Sequence, residues 1–239
     1  MRTMLAAVAV ALGAVVVAAP VAGAKPGPPV GEAPPSTQII DGGYYNQSAP
    51  WAARLFLNGQ QNCTATLISS QYVLTARHCV GGSLSFRIGS LDQSSGGYVA
   101  YGAQTTTHPS ADLALVRLDR SIRTTYSPLG TSTDVAPGRY AVVLGWGATC
   151  TDQAEINCQS RYLKYADVTV STVADRDYFG GVAIGARYYN GITAGGDSGG
   201  PMFANGRQVG VASTSNRYDY TSYTNITRYR SWISSIAGV

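Results

Sequence analysis

The sequence predicts an all-β fold in two units, followed by one terminal helix. Short runs rich in β-branched and aromatic residues recur along residues 52–212, and Gly, Asn, Pro and Asp mark turns between them. Gly accounts for 28 of the 239 residues and Tyr for 16, whereas only 13% of residues are charged. This composition is typical of turn-rich β proteins, and the short strand spacing is typical of a β-barrel or β-sandwich.

The predicted strands share apolar patterns that end at turn residues, and they cover residues 52–57, 64–69, 72–75, 84–88, 113–118, 140–144, 165–170, 201–203 and 208–212. Residues 227–237 form the predicted helix, because Trp232, Ile233 and Ile236 recur on one face. The polar segment 128–138 separates two β units of ordinary domain size, which we expect at residues 39–133 and 134–239.

Residues 1–24 have the features of a secretory signal peptide. A short positive start with Arg2 precedes the apolar run 5–19, and residues 22–24 (AGA) match the cleavage pattern. The run is shorter than the ~20 apolar residues of a membrane span. We therefore expect a secreted, extracellular protein without membrane attachment. Residues 25–38 are rich in Pro, Gly and Ala, and they are predicted as a linker or short pro-segment.

Charge and cysteine usage narrow the functional classes. The net charge of +4 comes almost wholly from scattered Arg without a basic run, so we expect no nucleic-acid partner. Four cysteines in an exported chain indicate two disulfides. Of the three pairings, the local loops Cys63–Cys79 and Cys150–Cys158 are the simplest. A zinc site is the weaker alternative, since C-x-x-C spacing is absent and the chain has only two histidines.

Three short motifs carry the candidate chemistry: residues 74–79 (LTARHC), 112–118 (DLALVRL) and 196–201 (GDSGGP). A serine between glycines can expose its hydroxyl on a tight turn where the backbone approaches a substrate. That hydroxyl is a poor nucleophile until imidazole takes its proton, and a buried carboxylate holds the imidazole in the useful tautomer. Each motif alone has a structural explanation, whereas together they predict acyl transfer.

The motifs resemble T-A-A-H-C, D-I-A-L and G-D-S-G-G-P of the chymotrypsin/trypsin-like serine proteases, in the same chain order. The resemblance extends over most of residues 39–239 and includes residues 50–51 (PW), 145–147 (GWG) and 231–233 (SWI). It implies two antiparallel six-stranded β-barrels with a C-terminal helix, and an active site between the barrels.

The resemblance also assigns roles to individual residues. It implies Ser198 as nucleophile, His78 as general base and acid, and Asp112 as the orienting carboxylate. The N–H groups of Gly196 and Ser198 would form the oxyanion hole. His108, the rival base, matches a surface His-Pro of the family.

An activation step follows from the same resemblance. In the family, cleavage frees an apolar α-amino group that pairs with the aspartate matching Asp197, and Ile39 begins a matching I-I-D-G segment. Ile40 offers a second register, and the alternative role of Asp197 is to cap a turn. Gln38 precedes the cut where trypsins have Lys or Arg, so autoactivation is not implied.

The family's pocket floor lies six positions before the nucleophile, at Ile192, where trypsin-like members carry Asp. Because an isoleucine cannot compensate a buried cation, we expect a preference for apolar side chains. Thr221 stands where relatives often have Gly and favours smaller side chains, whereas Asp219 is an alternative source of negative charge. The other implied pocket residues are Thr193, Ser213, Thr214 and Ser215, of which Ser213 also supports the triad carboxylate.

Some positions depart from the family pattern. Ala194 replaces a pocket cysteine whose bridge partner is also absent, and Thr214 replaces a tryptophan. Arg77 stands where the family has a small residue, and we expect it to face water. Asp92 stands alone in the loop that binds calcium in some relatives, so we expect no calcium.

We therefore expect a monomeric secreted serine endopeptidase that needs no cofactor or metal. Its partners would be protein or peptide substrates and proteinaceous inhibitors. One alternative is a protease-like binding protein, although such proteins usually lose a triad residue. The other is a secreted esterase, although lipase-type esterases place G-x-S-x-G before the Asp and His.

Overall fold

A computed structural model describes residues 39–239 of the chain. The predicted signal peptide and pro-segment lie outside these residues. The described part contains thirteen strands and one α-helix, namely β1 (Gly43–Tyr44), β2 (Ala52–Leu57), β3 (Gln60–Leu67), β4 (Tyr72–Thr75), β5 (Leu84–Ile88), β6 (Tyr98–Thr107), β7 (Ala114–Leu118), β8 (Tyr140–Gly145), β9 (Lys164–Arg176), β10 (Val182–Tyr188), β11 (Pro201–Ala204), β12 (Arg207–Ser215), β13 (Tyr220–Asn225) and α1 (Arg230–Ala237).

The first barrel is antiparallel and closes in the order β2-β3-β4-β7-β6-β5. Its alternating sequences produce alternating burial, as in β5, where Leu84, Phe86 and Ile88 point inward. The hairpin between β2 and β3 turns at Asn58 and Gly59, which have φ values of 52° and 81°. An Asn-Gly pair suits such a two-residue turn, because both positions require positive φ.

The second barrel runs in the order β9-β10-β13-β12-β11-β8 and closes through the pairing of β8 with β9. The predicted all-β class is thus confirmed as two closed six-stranded antiparallel barrels with a short C-terminal helix. Strand β1 adds to the second barrel by pairing Gly43 with Tyr165. The predicted boundary near residue 133 falls between β7 and β8, and its position stays a prediction.

The C-terminal helix belongs to the core of the first barrel. Ile233 of α1 is fully buried in the same hydrophobic cluster as Phe86 and Leu115. The helix begins three residues after its predicted start, because Thr227 N donates to the Asn225 side chain and residues 226–228 form a 3₁₀ turn. Gly238, at φ 74°, ends the helix. Within residues 39–239, no helix is both long and apolar enough to cross a bilayer.

Two disulfides close local loops. Cys63 on β3 joins Cys79 across 16 residues, and Cys150 joins Cys158 across 8 residues. The first disulfide fixes the turn that follows β4, and the second fixes the loop between β8 and β9. Both loops carry side chains that reach the candidate site.

Candidate active site

Strand pairing brings His78 and Asp112 together. Thr75 at the end of β4 pairs with Ala114 at the start of β7, so the residues beyond these two ends are neighbours. His78 Nδ1 lies 2.7 Å from Asp112 Oδ2, and His78 N donates to Asp112 Oδ1 at 3.0 Å. The neighbouring Cys79 anchors the turn through its disulfide. The ring is therefore held with Nδ1 toward the carboxylate and Nε2 on the opposite side.

Asp112 is completely buried. Ser213 Oγ donates to Asp112 Oδ2 at 2.6 Å. Both side-chain oxygens of Asp112 are engaged by His78 or Ser213. Such a carboxylate can orient a histidine ring and stabilise its protonated form.

Ser198 and His78 line one cavity of about 380 Å³, although the described residues show no hydrogen bond between the two. The loop that carries Ser198 is fixed from both barrels, because Thr64 N on β3 donates to Ser198 O at 2.8 Å and Gly199 N donates to Ala212 O on β12 at 2.9 Å. The remaining lining residues belong to the strands and loops of the second barrel, namely Tyr178, Thr193, Ala194, Gly195, Ala212, Ser213, Thr214, Ser215 and Arg217, so His78 is the first barrel's contribution to this lining.

Two peptide N–H groups beside Ser198 are available as donors to a ligand. The N–H groups of Gly196 and Ser198 have no hydrogen-bond acceptor within residues 39–239, whereas the Gly196 carbonyl accepts from Thr64 Oγ1 at 2.9 Å and Arg54 Nη1 at 3.1 Å. Gly196 has φ 99°, and a Cβ there would clash with the Gln159 amide. Only glycine fits this position without strain.

Asp197 is fully buried and holds the loop from within. Gly147 N donates to its Oδ1 at 2.7 Å, and Ala194 N donates to its Oδ2 at 3.0 Å. Burial raises the pKa of Asp197 to about 6, while these two hydrogen bonds and the cations of Arg54 and Lys164 act in the opposite direction. The carboxylate thus lacks a direct ion-pair partner in the described chain.

Ile39 and Ile40 lie beside the predicted pocket. The Ile39 side chain is fully buried in the core of the second barrel, and Ile192 N donates to Ile40 O at 3.0 Å. No hydrogen bond joins Ile39 to Asp197 within residues 39–239. Pairing of a freed Ile39 amine with Asp197 stays a prediction.

The predicted pocket residues divide into lining and supporting groups. Thr193, Ser213, Thr214 and Ser215 line the cavity. Ile192 and Thr221 are fully buried and lie behind the lining.

Thr221 supports two of the lining residues through hydroxyl contacts. Its Oγ1 lies 2.8 Å from Thr193 Oγ1 and donates to Thr214 O at 3.0 Å. Asp219 lies outside the lining, where it contacts Arg187 and Asn216. The lining carries a single formal charge, Arg217, which is paired with Glu155.

The rival base lies away from Ser198. The His108 ring packs edge-on against Tyr229 and Trp232, with centroids 4.8 and 5.2 Å away, and burial lowers the pKa of His108. Arg77 does not simply face water as expected. It stacks 4.2 Å above the Phe179 ring and donates to the carbonyl oxygen of Pro109.

The sequence analysis did not identify Asp177, a buried carboxylate that contacts Asp112. Asp177 Oδ2 accepts from Asp112 N at 2.9 Å and from Thr224 Oγ1 at 3.0 Å, and its Oδ1 accepts from Phe179 N and Gly181 N. It lies in the loop between β9 and β10, far from Asp112 in sequence. No local motif marks this residue, since Gly-rich turns often contain an Asp.

We expect Asp177→Asn to lower the free energy of unfolding by about 2–4 kcal/mol, because the new amide NH₂ faces backbone N–H groups that cannot become acceptors. Denaturant unfolding measures the change. The matched control is Asp175→Asn, whose partners are the hydroxyls of Tyr220 and Ser222. A hydroxyl can either donate or accept a hydrogen bond, so the free energy of unfolding should fall less in the control. Equal losses in both variants would contradict this explanation.

Comparisons with known proteins agree with this geometry. The family model described as Trypsin matches residues 40–233. Trypsin alpha of Drosophila melanogaster is 30% identical over 223 residues, covering 80% of this chain and 83% of the relative. Kallikrein-5 of Homo sapiens is 30% identical over 240 residues, covering 83% of this chain and 76% of the relative.

A solved structure described as neuropsin, a serine protease expressed in the limbic system of mouse brain, superposes with a TM-score of 0.67. It is 28% identical, and the match covers 79% of this chain and 94% of that structure. The chain belongs to the trypsin family and is a serine endopeptidase.

Proposed function

We propose that this endopeptidase acts through an acyl-enzyme on Ser198, with His78 as the general base and Asp112 as the orienting carboxylate. The observation that carries the proposal is the 2.7 Å contact between His78 Nδ1 and the buried Asp112 carboxylate, beside the cavity that both His78 and Ser198 line. The pair supplies a base with a fixed tautomer, and the cavity supplies room for a peptide.

In the first half-reaction, Ser198 Oγ attacks the scissile carbonyl carbon and His78 Nε2 takes the hydroxyl proton. The carbonyl oxygen becomes an oxyanion that accepts from the N–H groups of Gly196 and Ser198. These N–H groups have no other acceptor within residues 39–239. The C–N bond then breaks, and the leaving amine takes the proton from His78.

In the second half-reaction, a water molecule gives its proton to His78 and attacks the acyl carbon. The C–O bond to Ser198 breaks, and His78 returns the proton to Ser198 Oγ. The same oxyanion site serves both steps. Asp112 orients the His78 ring and stabilises the imidazolium that forms twice in each cycle.

We further propose that the pocket prefers small, uncharged side chains before the cut bond. Thr193 lines the cavity and its Oγ1 lies 2.8 Å from that of the buried Thr221, so the Thr221 side chain fills space that a glycine would leave to a larger substrate side chain. No free carboxylate lines the cavity, because Asp219 contacts Arg187 outside it. A substrate Lys or Arg would therefore lose hydration without gaining a countercharge.

The proposed site of action is outside the cell, on protein or peptide substrates. The signal-like residues 1–24 support export, and two disulfides are typical of an oxidising compartment. Proteinaceous inhibitors are proposed as further partners, and the proposed working form is a monomer.

The test uses the secreted, processed chain, a serine-directed sulfonyl fluoride and matched peptides with Ala, Leu, Phe or Arg before the cut bond. We expect stoichiometric labelling of Ser198 and fastest hydrolysis of the Ala or Leu peptide. Absence of labelling would favour a binding protein, and hydrolysis of esters alone would favour an esterase. Arg preference that disappears in Asp219→Asn would contradict the proposed pocket.

A further inference from the structure

The two walls of the cavity lack a covalent link. One wall is segment 193–198 and the other is segment 213–217. All four cysteines are engaged in the two local disulfides, neither of which joins these walls. Ala194 occupies the position of the family's pocket cysteine. Noncovalent contacts therefore hold the walls together, one of which is the hydrogen bond from Ser215 Oγ to Thr193 O at 2.7 Å.

Glu155 contacts both walls. Its Oε1 accepts from Gly195 N at 3.1 Å, and its two carboxylate oxygens accept from Nε and Nη2 of Arg217, the latter at 3.0 Å. A bidentate guanidinium–carboxylate pair fixes orientation as well as distance. The side chains of Glu155 and Arg217 are 29% and 50% exposed, so the pair lies at the cavity mouth. The Arg217 guanidinium holds the pKa of Glu155 below its usual range.

The turn that carries Glu155 is anchored to the first barrel. Gln159 Nε2 donates to Glu155 O at 3.3 Å and to Gly195 O at 2.8 Å. The side-chain amide oxygen of Gln159 in turn accepts from Nη2 of Arg54. Arg54 is a fully buried residue of β2 that also donates to Gly196 O. Gly195 is therefore held at its N–H by Glu155 and at its carbonyl by Gln159.

We infer that Glu155 and Arg217 form a polar clamp that positions the two cavity walls for the substrate, at the place where the family has a disulfide. Glu155 is thus a positioning residue, and it acts through Gly195 and Arg217. This inference rests on the proposed function of the cavity. Loosening the clamp should weaken peptide binding more than the acyl-transfer step, because Ser198 and His78 are fixed by other contacts.

The test compares Glu155→Ala, Arg217→Ala and the double variant in the processed enzyme, with one peptide substrate and active-site titration. We expect each single variant to raise KM about five- to tenfold with a smaller change in kcat. The double variant should be no worse than the singles, because all three remove one link. The control Asp152→Asn changes an exposed carboxylate of the same disulfide loop and should keep the native KM.

Two further measurements keep the test decisive. Glu155→Gln preserves shape and an acceptor for Gly195 N, so it should fold normally and raise KM by an intermediate factor. Amide hydrogen exchange at residues 194–197 should accelerate in Glu155→Ala whether or not the protein hydrolyses peptides. Native KM in both Glu155 variants, additive effects in the double variant, or unchanged exchange would overturn the clamp. Inactivity of the native protein would instead refute the proposed function.

Discussion

Replacing Ser198 by alanine is expected to reduce peptide hydrolysis by a factor on the order of 10⁴–10⁶, because the acyl-enzyme cannot form. The free energy of unfolding should change by less than about 0.5 kcal/mol, as is usual for positions outside buried networks. The Ser198 hydroxyl lies outside such networks, since it has no hydrogen-bond partner within residues 39–239. Steady-state kinetics and denaturant unfolding of the purified variant measure the two effects separately.

The control is Ser234→Ala on the exposed face of α1, which should keep native activity. His78→Ala is expected to cost about as much as Ser198→Ala, and the double variant should cost little more, because base and nucleophile act as one unit. Near-native turnover of Ser198→Ala, after residual native enzyme is excluded by titration, would refute the assignment of the nucleophile.

The second large effect concerns the N-terminus. A chain that begins at Ile39 should be far more active than a chain that begins at Lys25. In the described structure Asp197 is buried with two N–H donors and no direct cationic partner. A freed Ile39 amine would supply that partner and fix the loop that carries Gly196 and Ser198. N-terminal sequencing of the active fraction, with activity normalised to titrated sites, tests this expectation.

The pH dependence of stability provides a second measurement on the same two chains. Burial raises the pKa of Asp197 from 3.8 to about 6, so the folded uncleaved chain binds more protons than the unfolded chain between these values. Its free energy of unfolding should therefore fall as the pH rises from about 4 to 6, by about 1–3 kcal/mol. Pairing with a free amine lowers this pKa, so the chain from Ile39 should not show the fall. Equal activity and equal pH profiles would contradict activation at Ile39.

The strands that the sequence predicts are those with local hydrophobic alternation. Strand β13 (Tyr220–Asn225) escaped prediction because its buried residues carry hydroxyl or amide groups, and their burial depends on distant partners. Ser222 donates to Asp175, and Thr224 donates to Asp177. Strand β6 is largely exposed, so it has no apolar period. Strand β10 contains Gly185, which is unfavourable in a strand interior by propensity but here makes room for the Tyr220 ring.

The residues of the candidate site likewise divide into those that a local pattern predicts and those that depend on distant contacts. The residues of the three motifs could be found because each motif is a short local pattern with a chemical reason for its residue types. Asp177 and Glu155 could not be found in this way, since their partners lie 65 and 62 residues away. Such contacts follow from how two barrels bring loops together, and a hydrophobic or motif pattern does not encode that arrangement.

Each end of the described chain packs on the barrel that the other half of the chain forms. Strand β1 is added to the second barrel, whereas Ile226 and Ile233 complete the core of the first barrel. A chain without its last residues thus lacks part of the core of the first barrel, which carries His78 and Asp112. Removal of residues 226–239 is therefore expected to destabilise the candidate site through the barrel core, although none of these residues lines the cavity.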